Sequence, residues 1–209
     1  VPVAKAASAT RILFNWGFPS DEEQIQLAKD STAFWAFAAK TVAERAENLG
    51  DGDFISALLQ ARDGDLPALS QAEITTILSA TLTAGHETTT SLITNFMWRM
   101  LESPALWNRI VADHSLIPNA IEESLRFDPP VLGLFRTNLE ETTIGDVAIP
   151  AKSKVMALYA SANRDPDAFP NPDEFDIDRD EMQLKRHYSF GWGIHHCLGA
   201  PLEIGRAHV

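Results

Sequence analysis

Over the first 127 residues the apolar positions fall in helical order, and Gly, Pro and acidic clusters cut them into segments. An Ala-rich run over residues 4–13 leads into Gly17-Phe18-Pro19, a stop signal. Ser20-Asp21-Glu22-Glu23 then forms an S-x-x-E capping box that starts a new helix, on which Phe34, Trp35 and Phe37 are expected to cluster. Asp51-Gly52-Asp53 is a turn and cap. Behind it Phe54, Ile55, Leu58 and Leu59 share one helical face, and Gly64-Asp65-Leu66-Pro67 closes that segment. A second box, Ser70-Gln71-Ala72-Glu73, is followed by no proline until Pro104. It predicts a helix over 70–101, roughly 48 Å long at 1.5 Å per residue. Ser103-Pro104 opens the next helix, which carries Leu106, Trp107 and Ile110; a further one over 118–127 lies between Ile117-Pro118 and Asp128-Pro129-Pro130.

Beyond Pro130 the period changes. Val131 to Thr137, Thr142 to Ile144, Val147 to Ile149 and Val155 to Tyr159 are short apolar or β-branched runs, separated by Gly145-Asp146 and Pro150-Ala151-Lys152. The expected fold class is therefore mainly α with a small antiparallel β-sheet. From Asn163 to His187 proline and acidic residues dominate, which predicts an irregular but tethered segment. No internal repeat is present, which argues against a solenoid.

Composition narrows the class. With 45% hydrophobic residues in 209, the chain can bury a core. A formal charge of −12 and a pI near 4.8 weigh against a nucleic-acid partner, and no apolar run of 18 residues marks a transmembrane segment. A single Cys suits a reducing compartment and a cytoplasmic location. Val1-Pro2-Val3 carries no signal-peptide pattern, so the N-terminus reads as cut rather than processed. Ile204-Gly205-Arg206-Ala207-His208-Val209 matches one translation frame of a common sequencing adapter, so residues 203–209 are expected to be read-through; the other reading is a natural amphipathic helix start.

The chemistry centres on F-G-W-G-I-H-H-C-L-G, residues 190–199. A lone Cys cannot close an internal disulfide, so Cys197 is either a small buried apolar residue or a thiolate kept for chemistry. Gly191 and Gly193 allow tight turning and close approach to a flat ligand, and a helix starting just after Cys197 would stabilise the thiolate through its free N–H groups. Zinc on His195, His196 and Cys197 is the weaker alternative: adjacent ligands are sterically awkward and no fourth ligand sits at finger-like spacing. A second stretch lies mid-helix, where A-G-H-E-T-T-T places Gly85 and three threonines, all poor helix formers. Hydroxyls returned to carbonyls one turn back, beside a glycine, can open a notch for a small ligand; the bland reading is threonines packed in a core. Glu123 and Arg126, at i and i+3, share a helix face and make at least a surface ion pair.

The spacing F-x-x-G-x-H-x-C-x-G resembles the haem-ligand loop of the cytochrome P450 family, the haem-thiolate monooxygenases, in the form common among soluble bacterial members. A-G-x-E-T resembles that family's oxygen-binding segment, and E-x-x-R its structural pair. The resemblance implies that Cys197 ligates iron within a loop formed by Phe190, Gly193, His195 and Gly199, and that Ala84 and Gly85 adjoin the haem. Thr88 would hydrogen-bond dioxygen and Glu87 relay protons. Glu123 and Arg126 would be joined by Arg179, Arg136 and His195 would bind haem propionates, and Leu82, Thr83, Val131 and Leu132 would line the substrate pocket. It implies haem b as cofactor and O2 as co-substrate, with one oxygen atom inserted into a small hydrophobic organic substrate. Two electrons would come from a redox partner, expected to be a ferredoxin with its NAD(P)H reductase. Residues 1–202 then form a partial domain, with an N-terminal third or more and the end of the fold expected to be missing. Three other readings remain: a non-catalytic haem-binding sensor or carrier, a peroxide-using or rearranging enzyme, and an inactive gene fragment.

Overall fold

The starts of the first three helices follow from their capping chemistry. A computed structural model describes residues 20–207, so the expected helix over 4–13 and its stop at Gly17-Phe18-Pro19 lie outside the described residues. At Ser20 the box closes in both directions: the hydroxyl accepts the Glu23 N–H at 3.3 Å and the Glu23 carboxylate accepts the Ser20 N–H at 2.8 Å. The same pair of bonds, at the same distances, joins Ser70 and Glu73. These two boxes start α1 (Asp21–Glu47) and α3 (Gln71–Glu102). Between them α2 (Phe54–Gln60) is capped by Asp53, which accepts the Ser56 N–H at 3.0 Å.

The chain divides into two compact units, the first ending at Glu87 and the second beginning at Thr88, with α3 contributing to both. In the first unit Ala38 and Val42 of α1 and Ile74 and Leu78 of α3 are buried together, with Ile55, Leu58, Leu59 and Leu69 packed around them. Full burial of each Val, Ile or Leu is worth about 1.5–3 kcal/mol. The expected aromatic cluster does not form: Phe34 is buried, but Trp35, turned about 100° away from it, and Phe37 are exposed. The segment after α2 also differs from a simple stop. Strands β1 (Arg62–Asp63) and β2 (Leu66–Pro67) pair antiparallel around Gly64, whose φ of +61° suits a residue without a Cβ.

In the second unit α4 (Pro104–Ala112) follows its Ser103 cap, and α5 (Ile117–Phe127) follows a short 3-10 turn over His114–Leu116. Met100, Ile110, Ala120 and Ile177 form one buried cluster; Leu92, Ile121 and Leu125 form a second, against which Ile117 and Phe190 pack. The expected β-sheet is divided. Strands β3 (Leu134–Thr137) and β6 (Lys154–Ala157) make one antiparallel ladder, and β4 (Thr142–Ile144) and β5 (Val147–Ile149) another. Asn138 joins them, its Nδ2 donating to the carbonyls of Glu140 and Pro150 at 2.7 and 2.8 Å. Val131 and Leu132 precede the ladder instead of entering it, and Tyr159 starts the one-turn α6 (Tyr159–Ala162) where a strand end was expected. The irregular segment contains α7 (Glu181–Leu184), and α8 (Ala200–Ala207) follows the Cys loop. Among the described residues no helix is long and apolar enough to cross a membrane.

Candidate functional site

The support of the Cys loop begins on α5, whose last turns carry two fully buried charged groups. Glu123 and Arg126 have no exposed side-chain surface and are bidentate: Arg126 Nε donates to Oε2 at 2.7 Å and Nη2 to Oε1 at 2.8 Å. Two buried charges are tolerable only when their remaining hydrogen-bonding capacity is met. Here it is. Arg126 also donates to the carbonyls of Asn163 and Pro172 at 2.9 Å and of Glu174 at 3.0 Å. Arg179 Nε reaches Glu123 Oε2 at 3.3 Å, and the Asp176 N–H donates to Oε1 at 2.8 Å. The meander from Asn163 to Arg179 is thus tied by its backbone carbonyls to two guanidinium groups. The side chain of Glu174 is not needed for this; its carbonyl accepts from both arginines.

Around this network Phe127 is faced by cations, with Arg164 at 3.6 Å, Arg99 at 4.8 Å and Arg126 at 5.4 Å from the ring centroid. Arg99 also makes a bidentate pair with Asp128, at 2.6 and 3.1 Å, where α5 ends. The hydrogen bond to Asp128, reinforced by its charge, holds the Arg99 guanidinium above its ordinary pKa against the opposing effect of burial.

The Cys loop itself is a sequence of tight turns. Gly191 and Gly193 have φ of +70° and +76°, a region that other residues enter only with strain. The Gly191 N–H donates to the Tyr188 carbonyl at 2.8 Å, the His196 N–H to Gly193 at 3.0 Å, and the Cys197 N–H back to Phe190 at 2.9 Å. Cys197 is half-buried, and a Cβ on Gly199 would stand 3.7 Å from its Sγ. His195 ends a 3-10 turn over Gly193–His195 and is exposed. Arg136, on β3, is exposed and places Nη2 at 3.5 Å from the hydroxyl of Tyr159. That hydroxyl also lies 3.7 Å from where a Gly191 Cβ would be, so buried Tyr159 joins the arginine to the loop. Leu132 adjoins the same turn, its carbonyl accepting the Ala160 N–H at 3.1 Å; Val131 is half-buried and Leu132 exposed.

The second unit therefore brings together Phe190, Gly193, His195, Cys197, Gly199, Arg136, Leu132, Glu123, Arg126 and Arg179. Leu82, Thr83, Ala84, Gly85 and Glu87 belong to the first unit, and Thr88 opens the second. Leu82, Ala84 and Gly85 are exposed, Thr83 is buried, and Glu87 and Thr88 are half-buried. The helix is continuous through Ala84–Thr90, and a Cβ on Gly85 would meet nothing within 4 Å. Elsewhere on this helix, outside that stretch, hydroxyls of Thr75, Thr81 and Thr94 donate to carbonyls one turn back. Sequence reasoning missed Asn163, Tyr159, Ser189 and His187. The signal available for them was thin: polar residues in an irregular stretch.

The donor set suits a flat apolar group bound through one sulfur. Among the described residues no three His, Cys, Asp or Glu side chains converge on a metal position, and Cys197 would serve as a single soft ligand. Ile194 and Leu198 are each 97% exposed and Trp192 72%, an apolar surface on the loop itself, and Arg136 and His195 supply exposed cationic or hydrogen-bonding groups beside it. A macrocycle with an apolar face and acidic side arms fits those residues.

These features define a helical protein with a single cysteine held in a loop of tight glycine turns. A family model for cytochrome P450 matches residues 7–204, and the chain belongs to the cytochrome P450 family, whose members hold haem through a cysteine thiolate. It is 41% identical over 184 residues to cytochrome P450 107B1 of Saccharopolyspora erythraea, covering 87% of this chain and 44% of that protein. It is 42% identical over 166 residues to 6-deoxyerythronolide B hydroxylase of the same organism, covering 79% and 40%. Among solved structures, cytochrome P450 CREJ in complex with (4-ethylphenyl) dihydrogen phosphate superposes with a TM-score of 0.89 at 38% identity, over 99% of this chain and 50% of that one. The chain thus spans about half the length of the proteins it matches.

Proposed function

We propose that this chain carries the haem-ligating part of a monooxygenase that inserts one oxygen atom from O2 into a small hydrophobic organic substrate, the other atom leaving as water with two electrons and two protons. The observation that carries the reading is the Cys197 loop seated on the buried Glu123–Arg126–Arg179 network, in a chain whose relatives include hydroxylases and epoxidases. Haem bound at Cys197 supplies the redox chemistry, and thiolate ligation favours O–O cleavage. The Gly191 and Gly193 turns and the Phe190–Cys197 backbone bond hold the sulfur in place. Arg136 and His195 orient the acidic arms by charge-assisted hydrogen bonds. Glu87 and Thr88, an acid and a hydroxyl in adjacent positions of α3, deliver protons. Leu82, Thr83, Val131 and Leu132 line the substrate side. Electrons come from a ferredoxin-type donor and its NAD(P)H reductase, and the protein works in the cytoplasm.

The test is the visible spectrum of the reduced, carbon monoxide-bound protein expressed from the complete reading frame, with Cys197→Ser beside it. A strongly red-shifted Soret band that is lost in Cys197→Ser is the expected result. An ordinary haem spectrum in the unaltered protein removes Cys197 as the ligand and the mechanism with it.

A further inference from the structure

Behind the Cys loop lies a polar cluster centred on Asn163, of which the roles above use only the backbone carbonyl that Arg126 binds. This residue has no exposed surface, and each of its polar groups has a partner. Its N–H donates to the Tyr159 carbonyl at 2.9 Å, and its carbonyl accepts Arg126 Nη1 at 2.9 Å. The side-chain Oδ1 accepts the Tyr188 N–H at 2.7 Å, and Nδ2 donates to Ser189 Oγ at 2.9 Å. Ser189 Oγ spends its single proton on the Leu125 carbonyl at 2.6 Å, one residue before Arg126. The order of donors is therefore forced: a hydroxyl with its proton committed can only accept from position 163.

The next residue is Phe190. Its ring packs against Leu92, Ile121 and Leu125, and its carbonyl receives the Cys197 N–H. A third tie comes from His187, whose Nδ1 accepts the Ser189 N–H at 3.3 Å while Nε2 meets Glu122 Oε2 at 2.8 Å; the accepting Nδ1 places the ring proton on Nε2, donating to the carboxylate. Tyr188 and Ser189 are thus tied by Asn163 and His187 to a helix that the ion network already immobilises. We propose that Asn163, through Ser189, is a positioning residue for Cys197: it transmits the fixed place of the buried ion network to the backbone that holds the sulfur, an inference that rests on Cys197 being the haem ligand. Asn is required because both an acceptor and a donor are used. Asp at 163 would face Ser189 with an acceptor and draw its proton away from Leu125.

The experiment compares haem-loaded protein from the complete reading frame as unaltered chain, Asn163→Asp, Ser189→Ala and Cys197→Ser. Each is titrated with denaturant while the carbon monoxide-bound Soret band reports sulfur ligation and far-ultraviolet circular dichroism reports helix. In the unaltered protein the two signals are expected to be lost together. In Asn163→Asp and Ser189→Ala the red-shifted band is expected to give way to an ordinary haem band at denaturant concentrations where helix content is unchanged. Two signals that still move together in Ser189→Ala overturn the proposal, as does a Ser189→Ala chain that fails to fold, because the hydroxyl then serves the fold and not the thiolate. If Asn163→Asp does not fold, Ser189→Ala alone carries the test. Absence of the red-shifted band from the unaltered protein, or its persistence in Cys197→Ser, is a separate outcome: it defeats the ligand assignment, and this proposal falls with it.

Discussion

Replacing Glu123 by Gln removes one charge and leaves the shape. Four hydrogen bonds converge on this carboxylate, from Arg126 Nε and Nη2, Arg179 Nε and the Asp176 N–H. If the amide oxygen takes the Oε1 place, it keeps the Asp176 N–H and Arg126 Nη2; its NH2 then faces the two Nε donors, and both of those bonds are lost. Bonds to charged groups are worth about 1.5–3 kcal/mol each. Breaking a fully buried pair costs about 3–5 kcal/mol, because two guanidinium groups are left without their counter-ion. With an m-value near 3 kcal/mol per molar urea, that is a fall of about 1–1.7 M in the denaturation midpoint. The control is Asp178→Asn, which breaks an equally short pair with Arg109, 2.7 Å apart but 46% and 58% exposed. It should shift the midpoint by no more than about 0.3 M, the effect of about 1 kcal/mol. Equal shifts for the two variants would refute the reasoning, since a buried carboxylate holding four hydrogen bonds would then count for no more than an exposed one holding a single pair.

Thr88→Ala is expected to leave haem binding intact and to uncouple electron use from product, with peroxide released; equal ratios of product to NAD(P)H consumed in both proteins remove Thr88 from the relay. Gly133→Ala would drive a Cβ into the Ala157 carbonyl, with Met156 Cε at 2.9 Å and Leu158 Cα at 3.0 Å, so backbone must move. Overpacking of this kind costs about 1–3 kcal/mol, and amide exchange should quicken in the β3–β6 ladder and spare β4–β5. Asp53 and Glu73 both have depressed pKa values, Asp53 chiefly through the Ser56 hydroxyl and Glu73 chiefly through the Ser70 N–H. A depressed carboxylate stabilises the fold above its unfolded-state pKa and loses that contribution as pH falls through its folded one. Carboxyl resonances of both should therefore titrate below the ordinary values of about 3.9 for Asp and 4.3 for Glu, and titration above them would contradict the cap geometry.

Local chemistry made much of this protein legible in advance. The capping boxes at Ser20 and Ser70, the proline after Ser103 and the stop at Asp128 each act within a few residues, so the starts of α1, α3 and α4 and the end of α5 follow from the chain alone. The i, i+3 spacing likewise places Glu123 beside Arg126, and the glycines of residues 190–199 announce tight turns. What spacing could not supply was burial. The same Glu–Arg spacing suits an exposed pair worth under about 1 kcal/mol, and only the packed structure makes it a buried anchor with five carbonyls on its two arginines. The division of the expected sheet into separate ladders, the exposure of Trp35 and Phe37, and the bonds from Asn163 to Ser189 and from Arg136 to Tyr159 are of the same kind. Each joins or separates residues many positions apart in the chain. Capping and turn preferences are set by neighbours within one turn of backbone, whereas the partner of a buried polar group is whichever donor or acceptor the tertiary packing brings to it.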